Sequence, residues 1–167
     1  MGTAAHHIVA SISIGIGASL LMDLWNLLLK VTLKVPSLDY CLLGRWLRHM
    51  SGGTFRHAKI TEAPQKPFEC TAGWIAHYAI GIVFTFVFLF FASADWLMSP
   101  TLLPAMLFGI GTVVFPLFIM QPSLGLGVAS ARTANPAQAR LKSLATHTVF
   151  GLGIYLCALG IHLMSIN

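Results

Sequence analysis

Four runs of about twenty predominantly apolar residues, separated by polar connections, leave this chain very few ways to fold. They extend from about His7 to Leu29, Cys70 to Phe91, Thr101 to Met120 and Ser143 to Leu163. At 1.5 Å per helical residue, each run is long enough to cross a hydrocarbon layer of about 30 Å. Of the 167 residues, 56% are hydrophobic and only 9% charged, whereas a soluble domain carries roughly a quarter charged residues. A core of this size cannot hide so many apolar side chains from water, so lipid is the expected solvent for most of them. The expected fold is an all-α polytopic membrane protein with four transmembrane helices, in one domain over residues 1–167.

The charges orient those helices. All ten Lys and Arg fall in two connections. Lys30, Lys34, Arg45, Arg48, Arg56, Lys59 and Lys66 follow the first run; Arg132, Arg140 and Lys142 lie between the third and fourth. Positive side chains stay on the cytoplasmic side, which predicts cytoplasmic loops at 30–69 and 121–142 and both termini outside. The net charge of +5 does not argue for nucleic acid, because the basic residues border apolar runs on one face. Their expected partner is a bilayer with anionic headgroups. Cys41, Cys70 and Cys157 are widely spaced, without CxxC or zinc-finger spacing, so neither a disulfide nor a structural zinc site is expected. Cys41 and Cys70 should face the reducing cytoplasm.

Local signals sharpen the boundaries. Ser99-Pro100 reads as an N-cap and first helical residue for the third run, and Asn135-Pro136-Ala137-Gln138 does the same for the fourth. Pro116 should kink the third helix. Trp96 is expected at the outer end, with Trp25 and Trp74 at inner ends. In the first cytoplasmic loop, Ser37-Leu38-Asp39 looks like a helix start and Gly52-Gly53 a stop. Leu43, Trp46, Leu47 and Met50 make an apolar stripe between them, which predicts a short amphipathic helix in the interface. Thr54 to Pro67 reads as irregular or extended.

Asp23 is the one carboxylate inside an apolar run. An Asp near the bilayer centre costs about 2.5–3.5 kcal/mol, less near the interface, so it should face the protein interior. Ser11, Gly15, Ser19 and Asp23 recur at four-residue steps, as do Gly73, His77, Gly81 and Thr85, and Ser143, His147, Gly151 and Tyr155. Such small-residue stripes are the expected packing faces. Asp23 and His77 lie roughly 3–5 Å deeper than the neighbouring interfacial tryptophans, and His147 roughly 7 Å deeper than Lys142. Gln121 ends the third run on the same side. Asp23, His77, Gln121 and His147 are therefore the candidate ligand or proton site. Histidine with a carboxylate partner suits proton relay or sensing. Asp23, His77 and His147 also have the chemistry to ligate a divalent metal, leaving the cofactor open. A hydrogen-bond network that only fixes the bundle is the bland alternative.

Two further candidates lie in the loops. Gln121 to Thr133 carries no charge before Arg132 and reads either as an apolar turn or as a glycine-rich anion site. Arg45, His49, Arg56, His57 and Arg132 are the candidate lid or headgroup residues, with Arg48 and Lys59 also suited to headgroups.

Met22-Asp23-Leu24-Trp25, Val35-Pro36-Ser37-Leu38-Asp39-Tyr40, Gly44-Arg45-Trp46-Leu47, Phe55-Arg56-His57, Gly73-Trp74-Ile75-Ala76-His77-Tyr78, Met120-Gln121-Pro122 and Thr146-His147 carry a family resemblance. Over nearly the whole chain, these segments resemble the bacterial inner-membrane family known as domain of unknown function 2938. The resemblance implies a four-helix integral membrane protein of bacteria and implies no particular reaction. Three functions stay open on the residues. They are a small carrier with a proton or polar-ligand site, a metal-dependent enzyme acting on lipid or headgroup, and an accessory subunit of a larger membrane complex. Four spans make a complete transporter only by oligomerising or by lining a very small pathway, so a homo-oligomer or membrane-complex partner is expected.

Overall fold

The computed structural model describes residues 3–92 and 94–166. Among them the regular structure is all helical, with no strand: α1 (Thr3–Thr32), α2 (Tyr40–Met50), α3 (Glu69–Ala92), α4 (Ala94–Met98), α5 (Leu102–Gly111), α6 (Gln121–Ser123) and α7 (Pro136–Ile166). Four stretches are long and apolar enough to cross a membrane: His7–Thr32, Glu69–Ala92, Leu102–Ser123 and Pro136–Met164. Three of them contain the run expected there, and the third begins one residue later than expected, at Leu102, and ends three later, at Ser123. The third stretch is interrupted: α5 stops at Gly111, a turn follows at Thr112-Val113, and a π-helical segment runs Pro116–Met120. Pro116 has no N–H to donate to the carbonyl four residues back, so the expected break has its ordinary cause.

The chain divides into two compact units. The first gathers the described residues up to Pro36, Tyr78–Thr112 and those from Thr146 onward. Its core is Ile14 and Ala18 of α1, Phe88 and Leu89 of α3, Trp96 and Leu97 of α4, Ala105 of α5, and Phe150, Ile154 and Ala158 of α7. The small-residue stripes do the packing. Ser11, Ser19 and Thr85 are fully buried. A Cβ on Gly81 would strike the Ser19 hydroxyl, and one on Gly109 would strike the Gly151 backbone, so α1 meets α3 and α5 meets α7 at near-backbone contact. The opposite face of α1 exposes Ile8, Ile12, Ile16, Leu20, Leu24, Leu27 and Val31. Apolar faces of this length suit lipid or another helix rather than water.

The second unit comprises Ser37–His77 and Val113–Ala145. Within the expected helix start Ser37-Leu38-Asp39, Asp39 caps α2, its carboxylate accepting from the Cys41 amide at 2.8 Å. A Cβ on Gly44 would strike the Glu69 carbonyl, and one on Gly73 the Tyr40 carbonyl, so α2 lies directly on the first turns of α3. The segment after α2 is irregular, with a 3-10 turn at Ile60–Glu62, and pairs with the 121–126 turn: His57 N donates to Ser123 O at 2.9 Å and Ile60 N to Leu124 O at 3.0 Å. These contacts bury Leu43, Trp46, Ile60 and Leu124 together.

Four expectations change. The stripe Leu43, Trp46, Leu47, Met50 was expected to lie in the lipid interface, but Ile60 and Leu124 cover it, giving it a protein partner. Trp96 is buried edge-on against Phe88, at 4.7 Å, rather than sitting as an interfacial anchor. Ser99-Pro100 does not open α5; the N-cap is Thr101, because α4 occupies the connection up to Met98. Finally, Cys41 and Cys70 are joined in a disulfide. Their separation in sequence concealed that α2 brings one to the other. At α7, by contrast, Asn135 Oδ1 accepts from Gln138 N at 3.2 Å, as the capping signal predicts.

Candidate functional site

Asp23, His77, Gln121 and His147 each have a hydrogen-bonding partner. In the first unit, Tyr78 donates from its hydroxyl to Asp23 Oδ2 at 2.9 Å, joining α3 to α1. Thr146 Oγ1 lies 3.4 Å from Asn26 Oδ1, joining α7 to α1. Thr112, at the end of α5, makes two contacts, to Gly109 O at 2.6 Å and to His147 Nδ1 at 2.7 Å. A threonine hydroxyl has one proton, and the Gly109 carbonyl only accepts. Thr112 therefore donates to Gly109 and His147 donates from Nδ1, which assigns the imidazole tautomer. Asp23, Asn26, Tyr78, Thr112, Thr146 and His147 thus form a polar set joining all four long helices of this unit.

The second unit holds the other two candidates. Tyr40 stacks on His77, with centroids 4.3 Å apart and its hydroxyl 3.2 Å from Nε2, while Trp74 meets Tyr40 edge-on at 4.6 Å. Gln121 is buried; Ser130 donates to its Oε1 at 2.7 Å, and its Nε2 lies 3.4 Å from Ser143 Oγ. Gln121 also accepts the Leu126 amide, so it organises the glycine-rich turn. That turn closes on itself: Arg140 Nε donates to Ala129 O and Arg132 N to Leu126 O. Its Ser130 hydroxyl is occupied within the protein, which favours the turn reading over the anion site.

The three groups proposed for metal, Asp23, His77 and His147, are engaged by Tyr78, Tyr40 and Thr112 respectively. Among the described residues no three His, Cys, Asp or Glu side chains are grouped as a metal ion requires.

Arg45 is the clearest correction among the headgroup candidates. It is 6% exposed, and its guanidinium grips Glu69 through Nε at 2.9 Å and Nη2 at 2.7 Å. Nη1 reaches the carbonyls of Ile60 and Ala63, each at 3.3 Å, and the Lys66 amide completes the carboxylate at 2.9 Å. The Glu69 hydrogen bond raises the Arg45 pKa above its ordinary value. This side chain therefore holds α2 to the start of α3, out of reach of headgroups. Arg48, Arg56, Lys59 and Arg132 remain exposed.

His49 and His57 do come together, edge to face at 4.9 Å. They line a recess of about 360 Å³ with Thr54, Lys59 and Glu62. His49 Nε2 donates to Pro64 O at 2.9 Å, whereas His57 Nε2 is buried with no hydrogen-bond partner. Burial, then the nearby His49, lowers the His57 pKa from its ordinary 6.5.

Sequence reasoning missed Tyr78, Asn26, Thr112 and Thr146, all partners of the candidates. Tyr78 follows His77, Thr146 precedes His147, and Asn26 lies one turn beyond Asp23, so adjacency was an available signal. Thr112 had none, because only the tertiary fold sets it beside His147. No curated protein and no solved structure matches the chain significantly. A family model does, across residues 12–161, and it covers the polar set, the α2–α3 crossing and the glycine-rich turn alike. The chain belongs to the family described as protein of unknown function (DUF2938).

Proposed function

We propose that the protein is an integral membrane protein of the bacterial inner membrane, with its basic loops in the cytoplasm and both termini outside. Its polar set takes up protons or a small polar ligand from the cytoplasmic side. The observation that carries this reading is the bonded set Asp23–Tyr78, Asn26–Thr146 and His147–Thr112, which joins four helices of membrane-crossing length. Ionisable side chains are costly to place among helices of that kind, so those present commonly mark proton or substrate pathways. Asp23 supplies a carboxyl and His147 an imidazole, and the hydroxyls beside them can pass a proton on without leaving place.

The test is proton flux in proteoliposomes carrying an internal pH dye, after an external pH step. Wild-type protein should dissipate the gradient faster than empty vesicles, and Asp23→Asn and His147→Gln should abolish the difference. Equal rates for empty vesicles, wild type and both variants would sink the proposal. That result, with a fixed partner co-purifying from the native membrane, favours the accessory-subunit reading. Stoichiometric zinc, iron, manganese or copper in purified protein would instead revive the metal-dependent enzyme.

A further inference from the structure

We infer that Cys41 and Cys70 form a reversible dithiol–disulfide site that controls access to His77; the inference rests on the cytoplasmic placement of residues 30–69 proposed above. Cys41 is the second residue of α2 and Cys70 the second of α3, and the two are bonded. Helix N-termini stabilise thiolate, the form that attacks and leaves in thiol–disulfide exchange. Cys70 is exposed and Cys41 half-buried, so a reductant reaches the bond. Disulfides that form in a reducing compartment are characteristically transient, catalytic or redox-sensing rather than structural.

The neighbour of Cys41 gives the bond a consequence. Tyr40 stacks on His77 and sets its hydroxyl 3.2 Å from Nε2, so the cystine pins the residue that covers His77. In the reducing step a dithiol of the thioredoxin class attacks one sulfur and forms a mixed disulfide. Its second thiol then displaces the protein thiolate. The reductant leaves as a disulfide, and the protein gains two electrons and two protons as Cys41 and Cys70 thiols. The reduced α2 remains attached through Arg45 and Glu69, while its first turn, with Tyr40, is released from the pin.

The experiment traps thiols in intact cells with N-ethylmaleimide, before and after exposure to the thiol oxidant diamide, and counts adducts on the Cys41 and Cys70 peptides. In parallel, purified protein with and without a reducing dithiol is treated with diethylpyrocarbonate, and carbethoxylation of His77 is quantified. Both cysteines should be alkylated at rest and protected after diamide, and His77 labelling should rise several-fold on reduction. A bond that stays closed under both cell conditions, thiols that stay open under both, or unchanged His77 labelling each overturns the switch. A cysteine placed at Thr54 in a C41S/C70S/C157S chain reports orientation separately through a membrane-impermeant maleimide. Labelling from outside cells refutes the cytoplasmic loop itself. Protection there, with no switching, refutes the switch alone.

Discussion

Truncating either partner of the Arg45–Glu69 pair should be among the most damaging single changes in the second unit. The side chains are 8% and 11% exposed, and five hydrogen bonds converge on them. Glu69→Leu strands a guanidinium that cannot deprotonate, and Arg45→Leu strands a carboxylate with one remaining donor, the Lys66 amide. Breaking a buried pair on one side costs about 3–5 kcal/mol, a large share of a typical 5–15 kcal/mol of stability. The double variant Arg45→Leu/Glu69→Leu removes both charges. It leaves the Lys66 amide and the carbonyls of Ile60 and Ala63 short of one partner each. At about 1 kcal/mol each, its total loss is near 3 kcal/mol. The single losses together come to about 6–10 kcal/mol, so the cycle should show coupling of at least about 3 kcal/mol. Titration with SDS in mixed micelles, followed by far-UV circular dichroism, gives the four unfolding free energies. Additivity within about 0.5 kcal/mol, or single losses below about 1 kcal/mol as for an exposed pair, would refute the reasoning.

Further outcomes follow from the same geometry. Gly44→Ala pushes a methyl into the Glu69 carbonyl, and overpacking of this kind costs about 1–3 kcal/mol; an unchanged melting temperature would remove α2 from the face of α3. His57 has a lower pKa folded than its ordinary 6.5, so the unfolded chain binds a proton more readily. Its contribution to stability is therefore complete above about 6.5 and is lost as pH falls through the folded value. Melting temperatures of wild type minus His57→Gln should decline across that window, and a flat difference overturns the assignment. Thr112→Val leaves His147 Nδ1 without its acceptor and should shift the His147 imidazole resonances in NMR spectra; unshifted resonances would show that the contact does not set the tautomer.

The four helices, the break at Pro116, the cap at Asn135 and the small-residue stripes were legible because each depends on local spacing. Helix length, hydropathy and capping are properties of a short window of chain. The stripe on α2 was legible as amphipathic, but not in its destination, since lipid and the buried face of Ile60 and Leu124 reward the same residues. Asp23, His77, Gln121 and His147 stood out because polar groups are conspicuous in apolar runs. Their partners did not, since tyrosine, asparagine and threonine are unremarkable in sequence.

The number, length and polarity of the helices follow from local hydrophobicity and can be read along the chain. The pairings come from packing in three dimensions. It turned Arg45 from a surface cation into a buried partner of Glu69 and joined Cys41 to Cys70 across the α2–α3 contact. It also aimed Thr112 at His147. Each of these joins residues more than twenty positions apart, and such proximity comes from packing glycine against backbone, which no local pattern encodes.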